Sequence, residues 1–372
     1  MREYIDGATA IARGAIDAGC TFFAGYPISP ATPILLHMIA ELPKVGGQAI
    51  QAEDEIASIS MCIGAALAGA KAMTATSGPG ISLYSENIGY AIMAEVPLVI
   101  VDCQRQGPAT GGATTTAQGD IQFVRWGTSG GYPIIALCPS SVAECYTLTI
   151  HAFNLAERFR CPVFLMPDKE MVMSMATVDV AEYTRVPVRP RRLAPTDGQP
   201  FIPYRFDRLD EVPPMSHFGD AHLVRVTGSA HDERGLLVKD PAKLSRMLAH
   251  LAAKIEAHVD EIAMVKPDPQ PGARTLVISY GTTARAMWEA IQMARAQGRK
   301  VSGLTIQSLW PVAEAAIRAA AEGMERVVVP ELNLGQYRRE IERILHGPEI
   351  IGINRIDGEL ITPDQILEQI AD

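Results

Sequence analysis

The sequence predicts an α/β protein, with parallel sheets covered by helices on both faces and arranged in two successive units. Three observations carry this. Short apolar runs alternate with longer stretches of helical periodicity. The runs end on Gly and Pro, with Ser, Thr, Glu or Arg placed at the turn, which is how a parallel sheet presents a site at the carboxyl ends of its strands. The alternation breaks near residue 183 and resumes after Pro267-Asp268-Pro269-Gln270-Pro271-Gly272, the clearest linker in the chain.

Residues 4–19 carry Ala, Ile and Gly at helical spacing, and Gly19 suits the end of that helix. Residues 21–25 form a strand that delivers Tyr26-Pro27-Ile28-Ser29-Pro30. A helix over 31–41 and a short strand over 48–51 follow. From Asp54 a buried helix is expected, rich in small residues such as Ala57, Ser58, Gly64 and Ala65 that let another backbone come close. Residues 72–76 are a third strand, turned by Ser77-Gly78-Pro79-Gly80 into a helix that runs to about Glu95. Residues 97–102 are the most strand-like run and open onto Gln104-Arg105-Gln106-Gly107-Pro108-Ala109-Thr110-Gly111-Gly112. Strands over 132–137 and 162–166 flank a helix over 141–158. From Arg185 to Pro214, Pro and Arg cluster in connecting structure expected to wrap over the first unit. A loop over 227–235 and a mixed-charge helix over 240–265 come next. The second unit shows strands over 274–281, 300–306 and 326–331 with helices over 283–297 and 312–322. The expected division is 1–183, a connecting segment 184–266, and 267–372.

Composition narrows the function. The 372 residues are 48% hydrophobic and 20% charged, a globular balance. A net charge of -9 argues against a nucleic-acid surface, which would want a basic stripe. The six cysteines include no Cys-x-x-Cys pair, so a zinc site or iron–sulfur cluster held by this chain alone is not expected. Buried free thiols and a reducing compartment are the reading. The first residues lack an apolar signal region and no run approaches a membrane span, so a cytoplasmic protein is expected.

Several polar residues stand where chemistry is possible. Glu55 at a strand–helix junction is either an N-terminal helix acid favoured by the macrodipole or a functional carboxylate, and Glu53 is its rival in the same box. Arg105 follows a strand end; its planar guanidinium suits a carboxylate bidentately, or pairs with a surface acid. Ser29 between prolines is a turn residue or a hydroxyl ligand, and Thr76 and Ser77 sit at another strand end. The eight histidines show no metal spacing, and His231 beside Asp232 and Glu233 reads as a loop residue.

Together the Tyr-Pro-Ile-Ser-Pro box, Glu53-Asp54-Glu55-Ile56-Ala57-Ser58, Ala75-Thr76-Ser77-Gly78-Pro79-Gly80 and the box from Gln104 to Gly111 resemble, in order and approximate spacing, the α subunits of 2-oxoacid:ferredoxin oxidoreductases. The likeness is strongest to those acting on 2-oxoglutarate. It covers nearly the whole chain. It implies the pyrimidine-binding domain of a thiamine diphosphate enzyme followed by a transketolase C-terminal-like domain. It also implies coenzyme A-dependent oxidative decarboxylation of a 2-oxoacid, or the reverse carboxylation, with electrons exchanged with ferredoxin. By the resemblance Glu55 activates the cofactor by hydrogen bonding its aminopyrimidine, with Glu53 as the fallback, while Tyr26, Pro27, Ile28, Thr76 and Ser77 lie beside the cofactor. Arg105, Thr114, Ser29 and Thr110 would hold substrate, with Thr115 a weaker match; Ser29 stands where the family usually has threonine. The chain has no Gly-Asp-Gly with a following Asn for Mg²⁺ and diphosphate, and no cysteine set for a cluster. The resemblance therefore implies a β subunit that brings the diphosphate site, Mg²⁺ and at least one [4Fe–4S] cluster, in an (αβ)₂ assembly. Glu331-Leu332-Asn333-Leu334-Gly335-Gln336 is similar to a family segment in a domain expected to serve assembly. Two rivals are half of a non-redox thiamine enzyme and a non-catalytic scaffold subunit.

Overall fold

The computed structural model describes residues 2–179 and 186–370. The junction expected near residue 183 lies outside the described residues. The chain opens with β1 (Arg2–Asp6), α1 (Gly7–Asp17), β2 (Phe22–Gly25), α2 (Thr32–Glu41), a single turn of 3₁₀ helix (Leu42–Val45), β3 (Gln48–Gln51) and α3 (Glu55–Leu67). There follow β4 (Ala72–Thr76), α4 (Gly78–Leu83), α5 (Ser85–Met93), β5 (Leu98–Asp102), α6 (Ile121–Trp126), β6 (Ile135–Leu137), α7 (Val142–Phe159), β7 (Pro162–Leu165), α8 (Lys169–Met173) and β8 (Met175–Asp179). After the connecting segment come α9 (Pro241–Glu256), α10 (Val259–Ile262), β9 (Val265–Asp268), β10 (Thr275–Ser279), α11 (Thr283–Ala296), β11 (Val301–Ile306) and β12 (Ser308–Trp310). The chain ends with α12 (Glu314–Ala320), β13 (Arg326–Glu331), α13 (Arg338–Ile344), β14 (Glu349–Asn354) and α14 (Pro363–Leu367).

Helix starts are written in local side chains. Asp6, Asp54, Ser141, Asp168 and Asp240 each accept a hydrogen bond from a backbone N–H three residues on, satisfying a donor the helix leaves unpaired. Thr362 and Gln365 complete a capping box at α14.

The first sheet runs β12-β6-β7-β5-β4-β2-β3, all parallel except β12, and the second runs β14-β13-β10-β11-β9, parallel except β9. The α/β class and the dominance of parallel strands agree with the sequence reading. β2 lies between β3 and β4, so the chain leaves it first to one side and later to the other. That reversal opens a crevice at the carboxyl ends of β2 and β4, the place where open α/β sheets bind ligands. One apolar core lies between the two sheets and joins Ile100, Phe164 and Ala136 to Ile278, Leu304, Leu309 and Trp310. A second covers the far face of the first sheet around Ile11, Phe153 and Val163. The second unit also crosses over: Ser308 and Trp310 pair with Leu137 and Ala136.

Five local expectations are corrected. Tyr4–Asp6 is strand and not helix, because β1 pairs antiparallel with Met175–Asp179, a partner invisible to local periodicity. The helix expected to reach residue 265 ends at Glu256, and Pro267 and Asp268, expected as linker, lie in β9. β9 is an edge strand, where a proline leaves no ladder bond broken inside the sheet. The helix after Ser77 is broken at Tyr84 into α4 and α5. α3 is half-buried, with Ile56 and Met61 on an exposed face.

Candidate active site

The expected site residues fall on neighbouring strand ends of the first sheet. Glu55 is the first residue of α3, after the strand end at Gln51; it is buried, whereas Glu53 in the same box is exposed. Asp54 between them caps α3 through Ala57 N (2.7 Å), which turns Glu55 inward. Across the crevice Gly80 is the third residue of α4. A Cβ placed there would stand 1.9 Å from Thr76 Oγ1 and 2.8 Å from Glu55 Cγ. Glycine is required at this position by the close approach of the Thr76 and Glu55 side chains. Thr76 Oγ1 is buried and unpartnered, while Ser77 donates its hydroxyl to Cys103 O at 2.7 Å.

Thr76 stands in register with Asp102 at the end of β5, so both side chains share one face of the sheet. Asp102 is fully buried and neither carboxyl oxygen has a hydrogen-bond partner. Burial first, and then the neighbouring Asp120, push its carboxyl well above the usual carboxylate range. Asp120 lies ahead of α6 with Oδ1 beside Gly78; burial pushes it up to about 7 against the opposing pull of Arg105.

Arg105 follows β5 and is 5% exposed. Its Nη1 donates to Ser29 O at 2.5 Å and its Nη2 to Thr110 O at 3.0 Å, while Nε is buried without a partner. The arginine therefore ties the Tyr26–Pro30 loop to its own. The Ser29 and Thr110 contacts to it are made by backbone oxygens, and their side chains stand on exposed residues. Tyr26 and Thr114 are exposed on these loops, with Pro27 and Ile28 part-buried between. The Arg105 loop closes on itself through Gln106 N to Thr115 O and Gly112 N to Gln106 O, both 3.0 Å. It is held from the second unit by Gln106 Nε2 donating to Ile356 O at 2.7 Å.

Sequence reasoning missed Asp102, Thr116, Gln118, Asp120 and Asp168. Gln118 is a buried hub: its Nε2 donates to Asp168 Oδ2 (3.1 Å) and Tyr280 O (3.2 Å), and its Oε1 accepts from Thr283 Oγ1 (3.1 Å) and Leu332 N (3.2 Å). Asn333 Nδ2 donates to Gln118 O at 2.7 Å and to Tyr280 OH at 2.9 Å, and Tyr280 donates to Glu331 Oε2 at 2.8 Å. The segment Glu331–Asn333 thus braces the loop that carries Asp120. A signal existed in Gln118-Gly119-Asp120, polar residues around a glycine just ahead of a helix, but no strand run marks the place.

All six cysteines are free and buried, and burial pushes Cys20 up to about 12, so it is not a thiolate nucleophile. His231 is buried; its Nδ1 meets Asp232 O at 2.8 Å and its ring packs on Tyr204 at 4.1 Å. Among the described residues no His, Cys, Asp and Glu group could hold a metal, and no helix is long and apolar enough to cross a membrane.

The sequence matches two family models, "pyruvate flavodoxin/ferredoxin oxidoreductase, thiamine diphosphate-binding" over residues 13–250 and "pyruvate:ferredoxin oxidoreductase core domain II" over 273–366. The chain belongs to the 2-oxoacid:ferredoxin oxidoreductase family. Within it, the chain is 43% identical to the 2-oxoglutarate synthase subunit KorA of Methanothermobacter thermautotrophicus, over 99% of this chain and 97% of the relative. It is 33% identical to the ketoisovalerate oxidoreductase subunit VorB of Methanothermobacter marburgensis, over 100% of this chain and 97% of that subunit. The 2-oxoglutarate:ferredoxin oxidoreductase of Magnetococcus marinus, solved with 2-oxoglutarate, coenzyme A and succinyl-CoA bound, superposes with a TM-score of 0.93 at 33% identity. That match covers 99% of this chain and 64% of the longer one. The family resemblance is thereby shown, and with it the pairing of a thiamine diphosphate-binding domain with a second α/β domain.

The Gly80 cradle between Thr76 and Glu55, the inward carboxyl of Glu55 and the unpartnered Thr76 hydroxyl suit the polar edge of an aminopyrimidine.

Proposed function

We propose that this chain is the α subunit of a 2-oxoglutarate:ferredoxin oxidoreductase, which converts 2-oxoglutarate and coenzyme A to succinyl-CoA and CO₂, or runs the reverse carboxylation. The observation that carries the site assignment is the burial of Glu55 against Gly80 and Thr76 at the switch point, with Glu53 left in solvent. Glu55 would hold and release the proton on the aminopyrimidine edge of thiamine diphosphate, whose bound form supplies the carbanion chemistry. Thr76, Ser77, Tyr26, Pro27 and Ile28 would border the cofactor. Arg105 would receive the substrate's 1-carboxylate, since its two fixed hydrogen bonds go to neutral carbonyls and not to a carboxylate. Ser29, Thr110 and Thr114 would line the path above it; their exposed positions favour contact with a ligand arriving over the loops.

The site as described lacks a diphosphate clamp. A β subunit would supply it, together with Mg²⁺ and a [4Fe–4S] cluster that passes electrons to ferredoxin, in an (αβ)₂ assembly. The exposed face of α3, with Ile56 and Met61 and with open space at Gly64, suits the close approach of that partner. We further propose the division into a pyrimidine-binding domain (1–183), a connecting segment (184–266) and a transketolase C-terminal-like domain (267–372), and a cytoplasmic location.

The test is to isolate the native complex through a tag on this chain and follow thiamine- and coenzyme A-dependent viologen reduction with a panel of 2-oxoacids. Activity strongest with 2-oxoglutarate, and reduced about 10²- to 10⁴-fold in Glu55→Gln, is expected of a lost proton-transfer group. Undiminished turnover in that variant, or a preference for a branched 2-oxoacid, overturns the corresponding part of the reading.

A further inference from the structure

Three successive residues after β5 are bonded to three different elements. Gln104 Nε2 donates to Met166 O at 3.2 Å, just past β7, and Arg105 reaches the Tyr26–Pro30 loop through Ser29 O at 2.5 Å. Gln106 Nε2 donates to Ile356 O at 2.7 Å, 250 positions away in the second unit. That third bond has no part in the function proposed above. Gln106 is also the residue on which its loop folds. Its N–H donates to Thr115 O, and its carbonyl accepts from Gly112 N. A Cβ on Gly111 would lie 1.9 Å from Gln106 O, and one on Gly112 would lie 2.3 Å from Gln106 Oε1. Among the described residues the other hydrogen bonds of loop 106–115 are internal or made by Arg105, and residues 107–111 are exposed. An exposed loop with so few bonds takes its position from whatever grips it.

The grip from the second unit is rigid. Ile356 lies in the turn after β14, where Arg355 bonds Asp357 through Nε and Nη2 at 3.1 and 2.8 Å. Arg355 Nη1 donates to Leu360 O at 3.1 Å, and Glu359 N donates to Asp357 Oδ1 at 3.1 Å. Asn354 Nδ2 donates to Asn333 O at 3.0 Å, which links the turn to the Gln118 hub. Gly358 in this turn stands at φ 87°, and a Cβ there would fall 2.0 Å from Thr115 Cγ2. The turn therefore meets the loop at both ends, Gln106 and Thr115, whose backbones bond to each other.

We propose that Gln106 and Gly358 are positioning residues for the 2-oxoacid: the turn after β14 fixes loop 106–115 so that Arg105, Thr110 and Thr114 meet the substrate already in place. This rests on the reading of that loop as the substrate loop, and it gives the second unit a part in substrate binding beside the assembly role expected of it. A loop ordered before the ligand arrives spares binding the entropy of ordering it. Releasing the loop then weakens binding and leaves the chemical step nearly intact.

The experiment measures initial rates of viologen reduction by the assembled complex, varying 2-oxoglutarate and coenzyme A in turn. Gln106→Met keeps the length of the side chain and removes the donor. KM for 2-oxoglutarate is expected to rise about 3- to 10-fold, the worth of one hydrogen bond, with kcat within about twofold and KM for coenzyme A unchanged. Gly358→Ala drives the turn against Thr115 Cγ2 and should raise the same KM. Thr115→Ser deletes that methyl and keeps the hydroxyl, so the double-mutant cycle should recover part of the loss, a coupling that general destabilisation does not produce. Deuterium exchange gives a readout independent of turnover: the amides of Gly112 and Thr115 should exchange faster in Gln106→Met and be slowed again by saturating 2-oxoglutarate. A KM for 2-oxoglutarate within about twofold of wild type in both Gln106→Met and Gly358→Ala overturns the proposal, and so does an equal rise in KM for coenzyme A. Arg105→Lys separates the two readings. A raised KM there beside a wild-type KM in Gln106→Met defeats the positioning role alone, and a wild-type KM in Arg105→Lys defeats the substrate assignment beneath it.

Discussion

Gly80→Ala is the sharpest probe of the cofactor assignment, because it leaves every functional side chain in place. The added methyl would lie 1.9 Å from Thr76 Oγ1 and 2.8 Å from Glu55 Cγ, where real side-chain carbons stay beyond 3.0 Å, so something must move by about 1 Å. The severe contact is with the Thr76 hydroxyl; because the Thr76 backbone is held in a buried parallel sheet, the methyl is admitted by displacing that hydroxyl or the start of α4, both of which wall the pocket beside Glu55, itself only just inside the limit. A displacement of about 1 Å in the wall that positions a proton-transfer group costs on the order of 10²-fold in rate. Overpacking of this kind costs roughly 1–3 kcal/mol of stability, which a small domain survives. The assay is viologen reduction by the assembled complex, beside circular dichroism and the thermal midpoint of the isolated chain. A rate down about 100-fold with secondary structure retained is expected. Removing the clashing hydroxyl in Gly80→Ala/Thr76→Ala should restore part of the loss, a coupling the double-mutant cycle measures directly. Wild-type turnover in Gly80→Ala would show that Glu55 and Gly80 do not share a cofactor edge, and the assignment of Glu55 would fall with it.

Three further outcomes are expected. Arg105→Lys should raise KM for the 2-oxoacid at least about tenfold with a smaller change in kcat, because a lysine cannot reproduce the fork that binds Ser29 O and Thr110 O and still meet a carboxylate; initial-rate kinetics decide it. Gln118→Ala should lower the thermal midpoint sharply, since it leaves Asp168, Thr283 and the Leu332 N–H without their shared partner; loss within the scatter of surface variants would refute its role as the brace between the two units. Lys254→Met should cost about 3 kcal/mol, because Glu95 is left buried with Arg160 and His250 as its remaining partners, and urea denaturation measures it.

How far the sequence carried this reading depended on whether a residue's purpose was local. Strands β2, β4 and β5 and their turns are legible because each is a short apolar run closed by a Gly- or Pro-bearing turn, and the side chains after them line the candidate site; Arg105 is a candidate of that kind, whereas β3 is polar and Glu55 is marked by its place at the start of a helix and by the family resemblance. Asp102 was passed over because it is the last letter of an apolar run, where an acid looks like a strand terminator. Asp120 and Gln118 sit in a loop whose meaning comes from Asp168 and Asn333, about 50 and 215 positions away along the chain. The same distance hid β1, whose partner is β8, and β12, which the second unit lends to the first sheet. Local pattern reports what a residue is; partners of this kind report what it is for.

The acid dependence of stability turns on Glu95, and its sign can be worked through. Burial alone would raise its carboxyl, but Lys254 at 2.8 Å, then Arg160 and His250, outweigh burial and hold it well below the usual range. A carboxyl depressed in the folded state contributes stability that is fully present above the unfolded value, about 4.3 for glutamate, and is lost as pH falls through the folded one. Glu95 has its backbone in the left-handed region (φ 52°), and Lys254 also donates to Arg160 O, so the pair ties α9 to the first sheet at two points. Wild type should therefore lose stability between about pH 5 and pH 3 along a slope that Glu95→Gln lacks. Urea midpoints compared at the two ends of that window measure it. Parallel pH profiles for wild type and Glu95→Gln would place the acid limb elsewhere, with the buried Glu157–Arg191 pair as the next group to test.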